Sequence, residues 1–560
     1  MKLLRLLFRD NPRALAGVML LSLASVLLSI GTLAFINLRL IAVGDRLGLA
    51  LAQFGALLAL LLLVAAAAQV SLHRLGHRFV YRLRRDLVKR LLDTDIQRLE
   101  QLGGSRILAS LSSDIRNLTI AFVHLPELVY GLVLSVAAFA YLAWLSPPLF
   151  AVTLAWMGFT LAVGWLCVGR VNRHIRLLRE AEDRLYRDYQ ALIDGRKELA
   201  LNRERARRLY EEEFDADAEA YRHHVTRADI YNGLAGNWAN IMVLGSIGLM
   251  FYCAGGLGWA GAAVAATFAL TVLFLRAPLI AAVGSLPSLL AARVALDALE
   301  ALELAPLRRE FEAPAPAPAW QRLELRGVVY RYPGEGDEGG FDVGPLDLCI
   351  ERGELLFLVG GNGSGKSTLA RLLTGLYRPV VGQILLDGRA LDEAEWPAYR
   401  RLFSSVFTDF HLFARLLGPQ GGEAAEGGPD HWLERLHLAH KVRHAGGRLL
   451  DTRYSQGQRK RLALLLAMLE ERDILMLDEW AADQDPLFRR LFYRELLPHL
   501  KALGKTVLAI THDDHYFDQA DRLLKMDGGR LVELTGEQRV RASADALQAI
   551  GGPARALAAD

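Results

Sequence analysis

Cysteine is scarce in this 560-residue chain: Cys167, Cys253 and Cys349 are the only three, and they lie far apart. So few exclude a disulfide framework and a zinc site built on thiolates. Two of them fall inside apolar runs, where a thiol serves as core filler. A charge excess of one sign is also lacking. The 65 Lys and Arg against 62 Asp and Glu leave a net +3, which speaks against nucleic acid as a partner. Proline is missing from 170–227, where apolar residues keep a helical spacing apart from an interruption at 192–197. No peptidase domain precedes the first apolar run, which argues against export coupled to leader cleavage.

Apolar residues make up 52% of the chain and crowd into its first half. A membrane span needs about 20 of them in a row. The runs 14–36 and 47–70 each supply one without a charge. A close pair, 128–145 and 149–168, is split by Ser146-Pro147-Pro148. Residues 230–275 are uncharged throughout and long enough for two spans, with a turn at Ala254-Gly-Gly-Leu-Gly-Trp259. Six spans result. The first is long and lacks a small-residue cleavage site, unlike a signal peptide. Segment 71–121 carries ten Lys/Arg and 170–229 carries fourteen, whereas the remaining loops carry Arg39 and Arg46 or none. The positive-inside rule then puts both long loops, both termini and the second half of the chain in the cytoplasm.

Four segments are expected: a six-helix all-α membrane domain (1–305), a Pro/Ala linker (306–320), an α/β nucleotide-binding domain (321–540) and a tail (541–560). In the third, Gly360-Gly361-Asn362-Gly363-Ser364-Gly365-Lys366-Ser367 is a complete phosphate loop between an apolar strand and a helix opened by Thr368. Its glycines let backbone N–H groups face phosphates, Lys366 reaches the β- and γ-phosphates, and Ser367 ligates Mg²⁺. Asp478 closes a second apolar strand as the other Mg²⁺ ligand. Glu479 follows as the candidate general base.

The turn Ser455-Gln456-Gly457-Gln458 heads a helix that runs into that strand. With the phosphate loop it resembles the ATP-binding cassette superfamily, and the six spans resemble the type I exporters within it. The resemblance implies further roles. Ser455, Gln456, Gly457 and Gln458 cap the γ-phosphate held by a second copy, so that ATP binds across a homodimer. Asp485 belongs to the loop that crosses the dimer, and His512 is the switch histidine. Tyr332 stacks on adenine, with Tyr330 and Phe341 as weaker candidates. Short coupling helices are expected near 101–105 and 192–197. One departure stands out: Thr408 occupies the place of the glutamine that links metal site to membrane helices, with Asp409 as a possible substitute.

The runs Asp478-Glu-Trp-Ala-Ala-Asp-Gln-Asp-Pro486, Val406-Phe-Thr-Asp-Phe-His-Leu-Phe413 and Asp194-Gly-Arg-Lys-Glu-Leu-Ala-Leu-Asn202 resemble the cyclic-peptide and siderophore export group. That implies ATP-driven movement of a non-ribosomal peptide, a siderophore such as pyoverdine or its precursor, from cytoplasm to periplasm across a bacterial inner membrane. A lipid or glycolipid flippase is the alternative on the same scaffold. An ATP-gated channel with little turnover is another, against which Glu479 and His512 argue. Glu127, Asn237, Asn240, Thr267, Thr271 and Arg276 are the polar groups in or beside spans that could meet substrate.

Overall fold

The computed structural model describes residues 12–41, 47–308, 310–311, 316–332 and 340–539. The first eleven residues, Arg46, part of the Pro/Ala linker and the tail 541–560 lie outside these. Two compact units emerge. One contains the described residues up to Leu92 and from Gly103 to Leu307; the other contains Asp93–Leu102 and the described residues from Arg308 onward. The ten-residue segment Asp93–Leu102 thus leaves the contiguous block 1–305 and joins the second unit.

Six helices in the first unit are long and apolar enough to cross a membrane: S1 Pro12–Arg39, S2 Gly48–Asp93, S3 Gly104–Leu145, S4 Pro147–Asp194, S5 Arg203–Gly256 and S6 Ala262–Glu300. S4 has 48 residues and S5 has 54. At 1.5 Å per residue each exceeds about 70 Å, more than twice a hydrocarbon layer. Their polar ends therefore extend well outside lipid, as the helical spacing on either side of 192–197 implies. S3 packs along S6, and S4 pairs with S5. Val26, Leu134, Ala138 and Leu275 form one knot of the core, and Leu142, Leu149, Met250 and Phe268 another.

The helices stop where the sequence has no means to continue them. After S2 comes a short helix α1 (Ile96–Leu102), ended by Gly103 at φ +76°. After S4, Gly195 opens α2 (Arg196–Leu201). Asn202 then restarts the helix, its side-chain oxygen accepting from the Arg205 N–H at 3.0 Å.

The second unit is α/β. Strands β1 (Arg322–Arg331), β2 (Asp342–Glu351), β3 (Leu355–Val359), β4 (Val381–Leu386), β5 (Phe403–Val406), β6 (Ile474–Asp478), β7 (Thr506–Ile510), β8 (Arg522–Asp527) and β9 (Arg530–Leu534) carry it. The main sheet runs β9-β8-β3-β7-β6-β5, with β3, β5, β6, β7 and β8 parallel. A smaller antiparallel sheet places β1 between β2 and β4. Central strands β3, β6 and β7 are buried along their whole length, as the uninterrupted apolar runs demand. Helix α3 (Lys366–Leu373) follows β3, and α4 (Gln456–Leu469) precedes β6.

Candidate active site

The parallel order of β3, β7 and β6 brings three loops to one end of the sheet. Gly360, Gly363 and Gly365 adopt φ of +150°, +76° and +103°, which only glycine takes without strain. At Gly360 a Cβ would sit 2.3 Å from the Met526 carbonyl. Gly361, Asn362, Gly363 and Ser367 are exposed; Ser364, Lys366 and Thr368 are buried. The Lys366 Nζ donates to the Gly360 and Gly361 carbonyls at 2.8 and 2.9 Å, so its charge sits over the loop. The buried Ser364 hydroxyl has no hydrogen-bond partner among the described residues. That orphan donor, inside a cradle of glycines at a helix N-terminus, fits a phosphate.

The Ser367 hydroxyl donates to Asp478 at 3.2 Å, which brings the two proposed Mg²⁺ ligands together. Among the described residues no cluster of three or more His, Cys, Asp or Glu is placed to hold a metal. One carboxylate and one hydroxyl suit Mg²⁺, which takes its remaining ligands from phosphates and water. Burial pushes the Asp478 pKa up, and hydrogen bonds from Thr408 and Ser367 pull against that shift. Thr408 therefore stands near the carboxylate proposed to hold Mg²⁺. The strand register explains it: Val406 pairs with Leu477, so the chain leaving β5 passes beside Asp478. Thr408→Val should strip one hydrogen bond from this carboxylate. The expected loss is about 1 kcal/mol, or about fivefold in the Mg²⁺ concentration for half-maximal ATPase. An unchanged Mg²⁺ titration would show that the hydroxyl contributes nothing there.

Glu479 and His512, just beyond the ends of adjacent strands β6 and β7, meet at 3.1 Å (Oε1 to Nε2). Glu479 lies at φ +49°, a strained conformation for a side chain of this size. Its backbone is clamped on both sides. The N–H donates to the Ile510 carbonyl at 3.1 Å, and its carbonyl accepts from Lys460 Nζ at 2.7 Å. Lys460 is only 2% exposed and also pairs with Asp483 at 2.7 Å. Trp480 Nε1 closes the clamp by donating to the Lys460 carbonyl at 2.8 Å. This lysine escaped sequence reading because Arg459 and Arg461 flank it. Its spacing to Ala463, Leu464 and Ala467, all buried, was the available signal. Lys460→Met retains the stem and loses both polar contacts. Stability should fall by about 1–3 kcal/mol, read by thermal unfolding, with turnover falling alongside. A methionine variant with wild-type turnover would mean packing alone holds the Glu479 turn.

Ser455 and Gln458 form a reciprocal capping box at the start of α4 (3.3 and 3.4 Å). Gly457 has an internal reason to be glycine, since a Cβ there would lie 2.7 Å from the Asp483 carbonyl. Gln484 Nε2 donates to the Gly457 carbonyl at 3.1 Å. Ser455 and Gln456 are exposed. Asp485 accepts from the Phe488 N–H at 2.9 Å as a helix cap and pairs with Arg461 at 2.7 Å.

Tyr332 donates to or accepts from Thr368 of α3 at 2.8 Å, so the proposed adenine side and the phosphate loop are joined. Tyr330 is 2% exposed and stacks on Tyr377 at 4.8 Å, which makes it core rather than a platform for a base. Phe341 is exposed. Tyr377 in turn hydrogen-bonds Glu100 of α1, and Arg371 of α3 lies 3.7 Å from the same carboxylate. Burial, then the Glu100 bond, pushes the Tyr377 pKa up. The helix between S2 and S3 thus touches α3 directly, near where a short coupling helix is expected from the sequence.

The polar groups of the spans separate as well. Asn240 and Arg276 hydrogen-bond each other, Thr267 bonds the Ala263 carbonyl of its own helix, and Thr271 is buried. Glu127 pairs with His124 at 2.9 Å, and Asn237 is exposed.

Residues 343–482 match the family model described as ABC transporter, and residues 15–277 match the ABC transporter transmembrane region. The ATP-binding protein SyrD of Pseudomonas syringae pv. syringae is 36% identical over 473 residues, which cover 81% of this chain and 82% of that protein. This chain belongs to the ABC transporters. An ATP-dependent lipid A-core flippase of Paraburkholderia xenovorans is 25% identical, covering 83% of this chain and 80% of its own. Another from Thiobacillus denitrificans is 27% identical, covering 85% and 84%. A bacterial Atm1-family ABC exporter solved with ATP bound shares the fold, at a TM-score of 0.69 and 18% identity, covering 98% of this chain and all of the other. The transporter is of the exporter type, a multi-pass membrane protein that hydrolyses ATP with Mg²⁺ to drive translocation.

Proposed function

We propose that this ABC exporter works as a homodimer in a bacterial inner membrane, with both termini cytoplasmic, and moves a lipid-like amphiphile from the inner to the outer leaflet. The support for the cargo is the likeness to two lipid A-core flippases along both halves of the chain, membrane half included. Within the active site, Lys366 and the phosphate-loop N–H groups hold the phosphates, Ser367 and Asp478 hold Mg²⁺, and Glu479 takes the proton of the attacking water. His512 orients Glu479. Ser455 and Gly457 complete the partner's site.

A second reading keeps the peptide siderophore as cargo. It rests on the segments 406–413 and 194–202, which resemble the cyclic-peptide export group. Reconstitution separates the two. In proteoliposomes whose ATPase domains face outward, added ATP should shield a fluorescent phospholipid from an outside quencher, and no acyl-peptide should accumulate in the lumen. Peptide uptake without lipid movement would replace the flippase reading with the second.

A further inference from the structure

In the membrane unit, Arg276 stands among apolar helices without an ion-pair partner among the described residues. Arg276 is the only charged residue between Asp229 and Arg293. It stands in S6, fourteen residues beyond the first residue Ala262. That is about 21 Å along the axis, within a hydrocarbon layer about 30 Å thick. An arginine at the bilayer centre costs about 2.5–3.5 kcal/mol to insert, and a charge retained inside an apolar span is a candidate functional site.

Its surroundings are unusual for a structural arginine. Nη2 donates to Oδ1 of Asn240 in S5, a neutral amide. Nε is buried and has no hydrogen-bond partner among the described residues. Among the described residues, no ion pair involves Arg276. A carboxylate in the place of Asn240 would cancel the charge; an amide fixes the guanidinium plane and leaves the charge whole. Nε and the second hydrogen of Nη2 then form the planar fork that takes a carboxylate or phosphate through two hydrogen bonds.

We propose that Arg276, oriented by Asn240, recognises an anionic group of the transported molecule, a phosphate or a carboxylate. This rests on the exporter reading above and deepens it, since both proposed cargoes could present such a group.

The test uses the full-length protein in phosphatidylcholine nanodiscs, with ATP hydrolysis as readout. Two acidic probes stand for the two sources: phosphatidic acid, and an N-acylated peptide with a free carboxylate. Their neutral counterparts, the phosphate triester and the peptide amide, serve as references. The acid is expected to stimulate wild type at lower concentration than its neutral form. Arg276→Gln should raise the half-saturating concentration of the acid about tenfold, the worth of a hydrogen bond to a charged group, and bring it to that of the neutral form. Arg276→Lys should retain part of the preference. Asn240→Asp is the second variant, because it leaves the arginine and neutralises it; it should lose the preference as the glutamine variant does. Which acid works assigns the source. An acid preference that survives both Arg276→Gln and Asn240→Asp overturns the proposal and leaves the exporter reading standing, as does a wild type stimulated equally by acid and neutral probes. A wild type that hydrolyses ATP but responds to no amphiphile, charged or neutral, overturns both.

Discussion

Glu479→Gln is expected to lower ATP turnover by about 10² to 10⁴, the usual worth of a positioned general base, while ATP binding persists. The geometry supports so clean a separation. The Glu479 backbone is held by Ile510 and Lys460 independently of its side chain. His512 meets the side chain through one oxygen at 3.1 Å, and a glutamine retains an oxygen there. The substitution therefore removes the proton acceptor and little else. Phosphate release by the purified variant, measured beside equilibrium binding of a fluorescent ATP analogue, checks it. Turnover within a few-fold of wild type would move the base to another residue.

The second large effect concerns assembly. Homodimers of Lys366→Ala should bind ATP poorly, because the buried ammonium over the phosphate loop is gone. Homodimers of Ser455→Arg should fail to close, because a long cation replaces the exposed cap of α4 where the partner's γ-phosphate must sit. A mixed dimer carries both lesions in one composite site and neither in the other. Co-expressed and purified through two different tags, it should regain one working site and with it single-site ATP occlusion. Rescue that never appears would mean that each site is complete within one chain. Among the described residues Ser455 bonds Gln458 and Arg459, and the Gly457 carbonyl accepts from Gln484; none of these partners belongs to the phosphate loop.

Local pattern was enough for much of this. Runs without charge specify spans because a backbone in lipid must satisfy itself as helix. The phosphate loop is contiguous, so its glycines, Lys366 and Ser367 could be named before any fold was known. Strands β3, β6 and β7 were legible for the same reason, as short apolar runs bounded by turns. Asp478 and Glu479 followed from their place at the end of one such run.

Tertiary structure decided what depends on pairing between distant segments. Thr408 was an anomaly in sequence, and only the parallel register of β5 on β6 brings its hydroxyl to Asp478. Lys460 looked like one of three exposed cations until the sheet and the Trp480 turn enclosed it. Tyr330 and Tyr332 are two residues apart and equally aromatic, and strand alternation would give them the same face; Tyr330 is buried against Tyr377, whereas Tyr332, just past the end of β1, lies beside Thr368. The Glu100 link to Tyr377 spans 277 positions. Arg276 and Asn240 stand on different helices, and their meeting depends on how S5 and S6 pack. The sequence by itself determined which elements form and which chemistry they carry. Its one-dimensional spacing holds no record of which side chains become neighbours, because that follows from strand order and helix packing.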